Sequence, residues 1–156
     1  LQEKDIKFKN GLYQYTQVLF AYNSNKIEGS GFTEEQIAEI YERNTITTFE
    51  SQVIRMDDLF EAKNHFCLFD YMMDHYDDAI TIEMMQEMHS ILKRNTTQQD
   101  IPVYNVGCFK IKPNGIGFSD CSDTVAAEKV ERTYWIFIMP LRRYILFLME
   151  MEELAG

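Results

Sequence analysis

Apolar residues in this chain recur every three or four positions, and turn signals cut the repeats into helix-sized pieces. No other feature constrains the fold as strongly. Leu12, Tyr15, Leu19 and Tyr22 fall at i, i+3, i+7 and i+10, one face of an amphipathic helix. That helix is expected over about 12–29, running through Ser24 to Glu28 and stopping at Gly29, a natural C-terminal residue. Thr33, followed three places later by Gln36, predicts a capping box with Ile37 and Ile40 behind it. Asp57-Asp58 begins a longer helix in which Leu59, Ala62, Phe66, Phe69 and Met73 form one buried stripe. Thr81 caps another, with Met84, Met85, Met88, Ile91 and Leu92 turned inward, and the polar run 95–100 is a loop.

The character changes at residues 103–117. β-Branched and aromatic residues flank Pro113-Asn114-Gly115, and an Asn-Gly pair in such a setting predicts a hairpin. Thr124 then starts a helix through Trp135, and Pro140 enters a last helix over about 141–154. No internal repeat, low-complexity segment or long linker divides the chain. The expected fold is mainly α: one domain over 1–156, a helical bundle with a short β-hairpin.

The chain's 156 residues suffice for a single core, and the 46% apolar fraction suits one. Its 9 methionines read as adaptable core filling. A net charge of −10 repels phosphate backbones, which argues against nucleic acid as a partner. Cys67, Cys108 and Cys121 are odd in number and widely spaced, favouring a reducing compartment over a disulfide framework or a zinc knuckle. His65, His75 and His89 fit no zinc spacing and read as structural or surface residues. No signal peptide follows Leu1. The most apolar stretch, 134–140, is too short and too closely followed by Arg142-Arg143 to span a bilayer. The expectation is a soluble, cytoplasmic protein with no membrane partner. Tyr134, Trp135 and Phe137 read as core or as a homo-oligomer interface.

Five segments together resemble the Fic (filamentation induced by cAMP) family, in that family's order. They are Ser24-Asn25-Lys26-Ile27-Glu28-Gly29, then Asp57-Asp58 with Glu61-Ala62-Lys63-Asn64-His65, then Met88-His89 with Ile91-Leu92. Gly107-x-Phe109-Lys110 with Pro113-Asn114 follows, and Arg143-Tyr144-Ile145-Leu146-Phe147 closes the series. The first two are the more specific.

The resemblance implies a Fic-type bundle and the transfer of AMP from ATP to a protein hydroxyl. In that family a loop histidine takes the hydroxyl proton, an acidic loop residue holds Mg²⁺, and an arginine grips the γ-phosphate. Arg143 matches the arginine, and Ser24, Glu28 and Gly29 match an inhibitory motif in which the glutamate pairs with it. A carboxylate paired with arginine competes with a phosphate oxygen for the same donors. Phe109, Lys110, Ile111, Pro113 and Asn114 match a flap that docks the target protein by strand addition. ATP and Mg²⁺ are implied where the catalytic loop is present. That loop, His-Pro-Phe-x-x-Gly-Asn-Gly-Arg, belongs between Trp135 and Arg143, where this chain reads Ile136-Phe137-Ile138-Met139-Pro140-Leu141-Arg142. No histidine follows His89, and no glycine lies between Gly117 and Gly156. A non-catalytic Fic-like protein-binding module is therefore the alternative.

Overall fold

The computed structural model describes residues 2–6, 9 and 11–109, and every regular element among them is helical. Helices α1 (Gln2–Asp5), α2 (Leu12–Ile27), α3 (Glu34–Arg43), α4 (Met56–Asp74) and α5 (Ile82–Leu92) precede a single 3₁₀ turn at Pro102–Tyr104. Helix α4 is central, packing against α2, α3 and α5. The mainly α expectation holds for these residues.

Local chemistry sets the helix ends. The Gln36 N–H donates to the Thr33 hydroxyl at 3.2 Å, and the Gln36 side chain accepts from the Thr33 N–H at 3.1 Å. This is the expected capping box, satisfying two N–H groups that the first turn leaves unpaired. Thr81 caps α5 through its hydroxyl, which accepts from the Met84 N–H at 3.2 Å. Val18 and Ala21 from α2, Phe32, Ile37 and Ile40 from α3 and its approach, and Ala62 from α4 form one core cluster. Phe69 and Met73 form a second with Tyr13, Phe20 and Met72 around it. Leu59 and Phe66 pack against the first cluster, so the α4 stripe lies where its spacing puts it.

Three expectations change. The fully buried residues of α2 are Gln14, Thr16, Gln17, Val18, Ala21 and Asn25, while on the expected face Leu12, Leu19 and Tyr22 are only half-buried, Tyr22 against the core cluster. Tyr15 is 57% exposed among the described residues. The buried face is rotated because it meets its neighbours through polar groups. The Gln17 amide and the Tyr13 hydroxyl both donate to one Asp70 oxygen on α4, each at 2.5 Å. The Gln14 amide donates to Glu42 on α3 at 2.8 Å. Polar groups can be buried once they are paired, and an apolar period cannot reveal such a face.

The second change is at residues 103–109, expected to open the hairpin. They form a 3₁₀ turn and a reversal, and no strand occurs among the described residues. Pro102 fixes a helical φ at the turn's start. Asn105 (φ 48°) and Gly107 (φ 76°) then adopt left-handed conformations that break any extended run. The third change is in α5, where Ile91 alone is buried; Met84, Met85, Met88 and Leu92 are half-buried. The rest of the flap (110–117), the helices expected at 124–135 and 141–154, and Cys121 lie outside the described residues.

Candidate functional site

The motif Ser24-x-x-x-Glu28-Gly29 forms the C-terminal end of α2. The Glu28 N–H donates to the Ser24 carbonyl at 3.2 Å and the Gly29 N–H to the Lys26 carbonyl at 3.1 Å. Gly29 has φ +86°, the left-handed turn that glycine makes without strain, so the helix stops where the sequence suggests. Asn25 is 2% exposed and anchors this end. Its amide donates to the Ala21 carbonyl at 2.8 Å and its own carbonyl accepts the Ser30 N–H at 2.9 Å. Ile27 faces outward, 87% exposed.

Glu28 turns back onto α4 and the end of α5. Its Oε2 lies 3.4 Å from Lys93 Nζ, and the same ammonium lies 2.7 Å from Glu61 Oε1. The side chains of Lys93 and Glu61 are 12% and 10% exposed, while Glu28 keeps 42% of its side chain open. Burial pushes the Glu61 carboxyl above its ordinary value, and neighbouring Glu28 adds to that. Burial pushes Glu28 the same way, but its hydrogen bond with Glu61 and the Lys93 charge outweigh it and hold Glu28 low. Burial disfavours the Lys93 charge, and the two carboxylates more than reverse that. One cation thus lets two carboxylates share a corner.

Helix α4 builds this corner from one face. Asp57, Glu61 and Asn64 stand at i, i+4 and i+7, and each grips the segment that follows α5. Asp57 accepts the Thr97 N–H at 2.9 Å and the Thr97 hydroxyl. Glu61 takes Lys93. Asn64 donates to the carbonyls of Leu92 at 2.9 Å and Arg94 at 2.7 Å, two acceptors that the helix end leaves unpaired. The Thr96 hydroxyl, 2% exposed as a residue, donates to the Lys93 carbonyl at 2.8 Å.

Beside this corner His65 is 4% exposed, with its ring edge against Phe20 at 5.7 Å between centroids. Neither ring nitrogen has a hydrogen-bond partner among the described residues. Burial lowers its pKa to about 4, so the ring is neutral near pH 7. His89 Nδ1 accepts the Gly107 N–H at 3.3 Å and ties the 105–107 reversal to α5. A Cβ added at Gly107 would lie 3.4 Å from the Ser90 Cβ, on a backbone at φ +76°. His75 bonds Asp78 at 2.6 Å on the surface.

Ser24, Glu28 and Gly29 are therefore brought together on one helix end. Phe109 is 42% exposed and its carbonyl accepts the Asn105 amide at 2.6 Å. Lys110, Ile111, Pro113, Asn114 and Arg143 lie outside the described residues. Lys93 is the site residue that pattern reading did not single out; a lysine after a helix carries no local sign of its distant partners. Among the described residues no group of three or more His, Cys, Asp and Glu side chains is placed to hold a metal ion. No helix among them is long and apolar enough to cross a membrane. Compared with protein-family models and with curated proteins, the chain matches none.

Proposed function

We propose that the chain follows the plan of a Fic-type domain that transfers AMP from ATP to a protein hydroxyl and is restrained by Glu28. The observation that carries this reading is the position of Glu28. It caps the helix of the Ser-x-x-x-Glu-Gly motif and turns its carboxylate inward, with part of its surface still open to a further cation. Arg143 is the cation this reading assigns, and the Glu28–Arg143 pair would occupy the place of a γ-phosphate. Among the described residues no cluster of acidic side chains is placed to hold Mg²⁺. The target protein would dock along Phe109, Lys110, Ile111, Pro113 and Asn114 by strand addition. An ATP-dependent reaction and the cysteine pattern both go with a cytoplasmic location.

A specific observation favours a second reading, a non-catalytic Fic-like binding module. No histidine follows His89, so this chain offers no general base at the matching place. Protein expressed from its own gene, as wild type and Glu28→Gly, is weighed intact and incubated with labelled ATP and Mg²⁺. Labelling that rises in Glu28→Gly supports the enzyme. A folded protein of 18.5 kDa that gains no AMP assigns the binding-module role to the chain as given. Equal partner recovery by wild type and Phe109→Ala would in turn remove the flap from that second reading.

A further inference from the structure

Among the described residues Glu28 meets a lysine and a glutamate but no arginine. The loop that should supply the base, the phosphate cradle and an arginine is not in the chain as translated. It is nevertheless legible in the codons the chain implies. We infer that the gene segment for residues 144–152 encodes the His-Pro-Phe-x-x-Gly-Asn-Gly-Arg loop in a neighbouring reading frame. For its functional meaning the inference rests on the AMP-transfer reading; for its test it does not.

Consider the frame in which each codon takes the last base of one codon and the first two of the next. Methionine has the single codon ATG, and both glutamate codons begin with GA. Met149-Glu150 therefore yields GGA, a glycine, whatever synonymous codons the gene uses. Met151-Glu152 yields a second forced glycine. Between them Glu150-Met151 gives AAT or GAT, asparagine or aspartate. After them Glu152-Glu153 gives AGA or GGA, arginine or glycine. Upstream, Tyr144-Ile145 gives CAT or TAT, histidine or tyrosine. Ile145-Leu146 permits proline and Leu146-Phe147 permits phenylalanine. Of the two codons before the first glycine, Phe147-Leu148 falls where the loop accepts any residue, and Leu148-Met149 permits aspartate, the acidic residue the family places there.

All nine positions fit at the loop's own spacing, with both glycines forced. The first four segments of the resemblance lie in the translated frame and end at Pro113-Asn114; the fifth, at residues 143–147, overlaps the loop codons and is given up here, so the frame changes between Asn114 and Tyr144. In this account the arginine facing Glu28 comes from the codon spanning Glu152-Glu153 and replaces Arg143 in that role. The histidine codon falls across Tyr144-Ile145.

Sequencing the coding DNA from the source decides the matter. The inference requires TAC for Tyr144, ATC for Ile145, CTT for Leu146, and GAA for both Glu150 and Glu152. Any other codon at these five positions overturns it; TAT at Tyr144, for example, puts tyrosine where the base belongs. The chain with its frame restored, carrying Glu28→Gly, is then assayed with labelled ATP beside the original chain carrying the same substitution. Restoration should raise labelling by roughly a hundredfold or more, the scale of general acid–base catalysis. Matching codons with no labelling would leave the frame inference standing and defeat the AMP-transfer reading instead.

Discussion

Glu61 and Lys93 lie 2.7 Å apart on α4 and at the end of α5, both nearly buried, and Glu28 completes the corner from α2. With Glu28 the pair joins three helices, and it holds the residue on which the functional reading turns. Removing one partner of such a pair strands the other charge in a poorly hydrated place.

Lys93→Met should accordingly destabilise the protein by about 2 kcal/mol, while Lys93→Arg should keep most of the stability. Urea unfolding measures both. The two carboxylates would then repel, and Glu28, the more exposed, should swing out. Faster amide exchange at Glu28 and Gly29 in Lys93→Met checks that step. Wild-type stability in Lys93→Met would contradict the bridging role.

Asn64 holds the carbonyls of Leu92 and Arg94, which no helical N–H reaches. Asn64→Ala should cost about 1–3 kcal/mol, because it leaves acceptors without donors near the core. Asn64→Asp should cost more, since it sets a carboxylate against two carbonyls. Hydrogen exchange should quicken first across 92–97, the segment that α4 grips.

The buried His65 ring makes stability depend on pH in a stated direction. Its folded pKa is near 4 against an ordinary 6.5, so on acidification the unfolded chain binds the proton first. Above the ordinary value there is no linked cost. Between there and the folded value, stability falls by about 3 kcal/mol. Glu28, Glu61 and Lys93 face the same corner, so the comparison is made with His65→Leu. The difference between the two stability curves across that window should vanish if the ring already titrates normally.

Features set by near neighbours were legible in the sequence. The Thr33–Gln36 box, the Gly29 stop and the Ala62–Phe69–Met73 stripe each need only a few adjacent residues. Features set across the fold were not. The Glu61–Lys93 bond joins residues 32 apart, and nothing near Lys93 marks it. The polar face of α2 was hidden because Gln17 and Gln14 are buried through distant Asp70 and Glu42. Val103 and Tyr104 suggested a strand by type, but Pro102 and the left-handed Asn105 and Gly107 decide that backbone.

The most direct test of the account compares AMP incorporation by the restored-frame chain with Glu28 present and with Glu28→Gly. A restraining glutamate predicts labelling higher by roughly fivefold or more in Glu28→Gly, the lower end of typical coupling between sites. Equal labelling by two folded proteins would contradict the claim that Glu28 restrains the reaction.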